Sequence, residues 1–122
     1  MGDRTDEFIA ELEPNFGRRI WDFIYHLRVE RGVPAYIREG RRSYARQLAL
    51  YAQGRTTPGR IVTQTLNSKH RLGRAVDIAF WGYRDEQVPL EVWKALGAIG
   101  EAYGLKWGGR FKTLKDYVHF EI

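Results

Sequence analysis

Two short segments of the chain hold the residues whose types and spacing could do chemistry. The first, Ser68-Lys69-His70-Arg71-Leu72-Gly73-Arg74-Ala75-Val76-Asp77-Ile78, carries a histidine and, seven residues on, an aspartate inside an apolar run. A carboxylate among apolar neighbours is costly to bury unless it is paired or coordinates a metal. The second segment, Asp116-Tyr117-Val118-His119-Phe120-Glu121-Ile122, carries another of the three histidines. His70, Asp77 and His119 together would give two imidazoles, one carboxylate and an open fourth position, the pattern of a catalytic zinc site. The same donors suit the facial triad of non-haem iron. Asp116 sits where a general base for an activated water belongs, though an aspartate there could equally cap a turn. Glu121 shares a face with His119 and could orient that ring from behind, or simply face solvent.

Two strands must position these residues. From Arg74 to Trp81 the sequence alternates, with Val76, Ile78 and Phe80 on one side and Ala75, Asp77, Ala79 and Trp81 on the other. The last segment alternates likewise, so pairing the two strands would merge their apolar faces and bring Asp77 and His119 out together. Gly73 gives the backbone the freedom to turn between loop and strand. Around these strands the sequence predicts a short N-terminal helix over 5–12, loosely held within residues 1–14. A longer helix follows from about Phe16 to Arg31, capped by Asn15. Val33 to Glu39 reads as a strand, and Tyr44 to Gln53 as a helix capped by Ser43 that packs Leu48, Ala49 and Ala52 inward. Residues 56–67 read as loop, with a short strand at 61–63. A helix opened by Pro89 shows Val92, Leu96, Ile99 and Tyr103 as its buried stripe, and a strand runs from Leu105 to Trp107. His26 falls on the polar side of its helix. The pattern predicts a single α+β domain over 1–122 whose small antiparallel sheet carries the site, with helices packed against it.

Taken together, Ser-x-His-x-x-Gly-x-Ala-x-Asp, Trp-Gly-Gly and Asp-x-x-His-Phe-Glu resemble the zinc peptidases of the D-alanyl-D-alanine carboxypeptidase superfamily, and most closely the endolysin-type L-alanyl-D-glutamate peptidases. Arg42-Ser43-Tyr44-Ala45-Arg46-Gln47 and Leu50-Tyr51-Ala52-Gln53-Gly54-Arg55-Thr56 extend the resemblance to roughly residues 33–122. The resemblance implies a hedgehog/DD-peptidase-like fold in which His70, Asp77 and His119 hold Zn2+ and Asp116 is the catalytic base. It also implies that Arg42, Gln47 and Ser68 meet a peptidoglycan stem peptide, with Arg42 stabilising the oxyanion. The target it suggests is the L-alanyl-D-glutamate bond, with a terminal D-alanyl-D-alanine bond as the alternative.

Composition narrows the remaining classes. The chain lacks cysteine, which excludes disulfides and thiolate ligands, and it contains no apolar run of the ~20 residues that span a bilayer. Of the net charge of +5, residues 38–74 hold eight arginines and one lysine against one glutamate. Such a one-sided field suits an anionic partner: the stem peptide, an anionic wall polymer or, in a different class of function, nucleic acid. The peptidase reading expects no nucleic acid, no membrane and a monomer. The first residues lack the features of a secretory signal. A wall enzyme of this kind would be made in the cytoplasm and act on the wall after release, as a phage lysin does.

Overall fold

The computed structural model describes residues 4–63, 65–66 and 68–122. Its helices are α1 (Thr5–Ala10), α2 (Pro14–Tyr25), α3 (Tyr44–Ala52) and α4 (Leu90–Ala102), and its strands are β1 (Ala35–Glu39), β2 (Ala75–Phe80), β3 (Lys106–Trp107) and β4 (His119–Glu121). They form one antiparallel sheet in the order β1-β2-β4-β3. The α+β class expected from the sequence is what the chain adopts.

Period-two alternation explains the core. Val76, Ile78 and Phe80 of β2, Ile37 of β1 and Phe120 of β4 are buried on one face. Helices α2 and α4 cover that face with Phe16, Ile20, Phe23, Ile24, Trp93 and Leu96. Phe23 meets Phe120 with ring centroids 4.9 Å apart, and Phe80 meets Trp93 at 5.0 Å. All six residues of β2 are buried, so its other face is covered as well. No helix among the described residues is long and apolar enough to cross a membrane.

Several local expectations give way to specific contacts. Helix α2 starts earlier than Asn15 would have it, because Glu13 is the cap: its carboxylate accepts from the Asn15 and Phe16 amides, both at 3.0 Å, and Pro14 takes the first turn. The helix closes in a π turn at His26–Glu30, where His26 pairs with Glu30 at 3.0 Å. Helix α1 is joined to the rest of the domain through Thr5. Thr5 is buried, and its Oγ1 accepts from Arg28 Nη2 at 3.2 Å and from the Ile37 amide at 3.4 Å. In α3 the buried residue is Gln47, while Leu48 faces out. In α4, Trp93 turns inward and Val92 outward, because the indole fills the space over Phe80. Residues 61–63 form no strand, and Met1 to Asp3, Gln64 and Asn67 lie outside the described residues.

This packing places Phe23 at the joint between helix layer and sheet. Phe23→Ala should lower stability by about 3–5 kcal/mol through the lost burial and the cavity left behind. Urea unfolding should show the midpoint falling with little change in slope.

Candidate metal centre and cleft

The register of the two central strands sets the centre. Asp77 of β2 lies directly opposite His119 of β4. Asp77 Oδ1 stands 3.3 Å from His119 Nδ1 and 3.3 Å from His70 Nε2. Ligating atoms of the three residues all lie within 4.8 Å of one another, and all three side chains are buried. His70 arrives on the short 3-10 turn Lys69–Leu72, which Ser68 caps by accepting from the His70 amide at 3.1 Å. Gly73 closes that turn at φ 68°, a left-handed conformation that favours glycine. The segment after β1 then grips His70 at both ends. Its ring Nδ1 donates to the Gly40 carbonyl at 2.8 Å, and its own carbonyl accepts from the Arg42 amide at 2.8 Å.

These outer bonds decide which nitrogens face inward. A carbonyl and a carboxylate can only accept, so the proton of His70 sits on Nδ1 and that of His119 on Nε2, which meets Glu121 Oε1 at 2.8 Å. His70 Nε2 and His119 Nδ1 are thereby turned toward Asp77, and once the second proton of His119 has left, each can offer a lone pair. Lys69 Nζ holds Glu121 Oε2 at 2.9 Å in turn. Two neutral imidazoles with outer acceptors and one carboxylate are a donor set that fits a divalent ion.

Electrostatics support the grouping. Burial would raise the Asp77 carboxyl, but hydrogen bonds from His119 and His70 override it and hold the group well below the usual carboxylate range. Burial would lower His119, yet its bonds to Asp77 and Glu121 raise it to about 9. Glu121, opposed by burial, is drawn down to about 2 by His119 and Lys69. Asp116 moves the other way: burial and the charge of Asp77 raise it. Its Oδ2 lies 3.9 Å from His119 Nδ1, and its side chain is 43% exposed.

A cleft of about 1030 Å³ opens over this group. One lip comprises Ile61, Val62, Thr63 and Thr65, and the other runs from Phe111 to Asp116. Ser68 and Arg42 line the cleft; Gln47 does not. Gln47 is fully buried, its carbonyl accepting from Arg42 Nη1 at 2.7 Å and its amide donating to Thr65 O at 2.6 Å. It therefore ties α3 and Arg42 to the first lip. The arginine-rich stretch is likewise partly spent within the protein, since Arg42 Nε binds Glu39 at 2.8 Å and Arg38 binds Asp85 at 2.7 Å. Trp107 belongs to the core, and Trp81 stacks on Tyr36 away from the cleft. The outer partners Lys69 and Gly40 carry no motif signal, because one acts through an amine next to His70 and the other through its backbone.

Comparison with known proteins gives four findings. A family model described as D-alanyl-D-alanine carboxypeptidase matches residues 62–122. The peptidoglycan L-alanyl-D-glutamate endopeptidase CwlK of Bacillus subtilis (strain 168) is 36% identical over 104 residues, 75% of this chain and 62% of that protein. The chain thus spans 62% of that relative's length. The crystal structure of the L-Ala D-Glu endopeptidase ChiX of Serratia marcescens superposes with a TM-score of 0.73 at 26% identity, covering 100% of this chain and 88% of ChiX. The vancomycin-resistance D,D-pentapeptidase VanY, solved with Zn(II), shares the fold at a TM-score of 0.64 and 17% identity, over 90% of this chain and 71% of VanY.

Two outcomes follow from the geometry. An ion entering the centre must displace the proton that His119 holds up to about pH 9. Titrating zinc into chelated protein at about pH 7.5 should therefore release about one proton per ion, with apparent affinity rising as pH climbs toward 9. In the metal-free protein the sign is opposite: the raised His119 stabilises fully below its ordinary 6.5, and that contribution is lost as pH rises through about 9. The second outcome concerns Gly108, where an added Cβ would lie 2.3 Å from the Asp116 carbonyl and 3.0 Å from His119 Cβ. Gly108→Ala should cost about 1–3 kcal/mol and displace both acid and ligand. Zinc stoichiometry together with the thermal midpoint would record it.

Proposed function

The chain belongs to the D-alanyl-D-alanine carboxypeptidase family of peptidases, and on that premise we propose that it is a zinc-dependent peptidoglycan endopeptidase cutting the L-alanyl-D-glutamate bond of stem peptides. The observation that carries the reading is the convergence of His70, Asp77 and His119 within 4.8 Å at the floor of an open cleft, with Asp116 at its edge. The names of CwlK and ChiX support the choice of bond. We further propose wall lysis after release from the cytoplasm, in the manner of an endolysin.

His70 Nε2, Asp77 and His119 Nδ1 would hold the ion. Zinc held there would supply Lewis-acid polarisation and make a nearby water easier to deprotonate. Asp116 takes the proton of the attacking water, for which its raised affinity and partial exposure suit it. It then returns that proton to the leaving amine as the amide bond breaks. Arg42 keeps a fixed positive charge in the cleft wall, placed by Glu39 and Gln47, to stabilise the oxyanion. Glu121 and Lys69 keep the His119 ring in place.

A second reading, carboxypeptidase action on a terminal D-alanyl-D-alanine bond, is favoured by the description of the matching family model. Mass spectrometry of digested peptidoglycan separates the two. Stem peptides freed at L-alanine are expected, and release of D-alanine alone would overturn the endopeptidase reading. Asp116→Asn should keep its zinc and lose about 10²- to 10⁴-fold in turnover. Near-normal turnover in that variant would remove Asp116 from the mechanism.

A further inference from the structure

Strand β1 does not run evenly along β2. Ile37 pairs with Ile78 and Glu39 pairs with Asp77, so Arg38 is the additional residue of a bulge one step from the candidate metal centre. A bulge leaves its residue outside the ladder and re-aims the side chain. Here it sends Arg38 into the cleft wall, where the side chain remains 44% exposed. Nη1 is fixed by Asp85 Oδ2 at 2.7 Å, and Asp85 itself stands at the start of the short turn Asp85–Gln87. A guanidinium binds carboxylates along two edges. With Nη1 engaged, the edge formed by Nε and Nη2 stays available and is oriented by the Asp85 contact.

Arg60 and Lys112 stand exposed at the rim of the cleft, and its three remaining cations are engaged within the protein. Arg42 is 8% exposed and spent on Glu39 and Gln47, Lys69 holds Glu121 and the Ile122 carbonyl, and Lys115 donates to the Gly109 and Phe111 carbonyls. Arg38 is close enough to the reacting centre that it interacts electrostatically with both Asp77 and Asp116.

We infer that Arg38, held by Asp85, binds the free carboxylate of the D-glutamyl residue next to the scissile amide through its Nε/Nη2 edge and so selects for an acidic residue at that position. The inference rests on the proposed bond. A glutamyl residue that continues the peptide through one carboxyl group carries the other as a free anion within a few bonds of the amide that is cut.

The test uses two synthetic stem peptides that differ only at this group, one with the free carboxylate and one with the carboxamide. The zinc-loaded wild type should cleave the acid form with a kcat/KM higher by on the order of 10- to 100-fold, the range expected for hydrogen bonds to a charged group. In Arg38→Gln that ratio should collapse toward one. Because the readout is a ratio within one variant, general misfolding, which slows both substrates alike, does not imitate it. An unchanged ratio in Arg38→Gln overturns the inference. If the wild type cleaves neither peptide, the bond assignment fails, and binding of the same two peptides by calorimetry then decides for Arg38. A preference for the acid form that Arg38→Gln abolishes upholds the anchor, and equal affinities in the wild type sink it.

Discussion

A carboxylate in the middle of a sheet, buried on both sides, has to be surrounded by groups that need its charge. Asp77 meets that demand with two imidazoles at equal distance, one from the neighbouring strand and one from a turn. The rest of the centre follows from keeping those rings in place. Gly40 fixes one, Glu121 the other, and Lys69 fixes Glu121. The acid at the edge has the opposite character. Burial and the charge of Asp77 raise the Asp116 carboxyl, while hydrogen bonds from two imidazoles hold Asp77 down. Two carboxylates within one cleft thus divide into one that stays charged and one suited to exchanging protons.

Much of this was legible before any coordinates. The side-chain period of a strand is two, so once the last segment pairs with the first, Asp77 and His119 must share a face, and the observed register places them opposite each other. The family also followed from residues alone. What stayed hidden depended on partners remote in sequence or on backbone groups. Gln47 read as a substrate contact because a glutamine on a helix carries no mark of its surroundings; its buried partners come from Arg42 and from residues 63 and 65. The Glu13 cap lost to Asn15 in the sequence because both residue types can cap, and the difference is one of register. The bulge at Arg38 left no sign, since an arginine in a strand pattern says nothing of ladder continuity.

The cleft is built from two kinds of material. Its floor is strand, fixed by hydrogen bonds on both sides, and its lips are irregular segments held by a few polar contacts. The first lip is tied by the buried amide of Gln47 and by Arg55, which donates to the Thr63 carbonyl, and the second turns through Leu114 at φ 38° and Lys115 bonded to nearby carbonyls. Local stability should differ accordingly, high at the floor and low at the rim.

The position of β4 bears on how the domain becomes competent. This strand comes last of the four in the sequence, yet it lies inside the sheet, between β2 and the two-residue β3. Before it inserts, β2 has a bare edge, β3 has nothing to pair with, and one of the three donors is missing. Closure of the sheet and completion of the donor set are therefore the same event. The last strand of the sequence thus supplies both the partner that β2 and β3 share and one of the three side chains gathered at the centre.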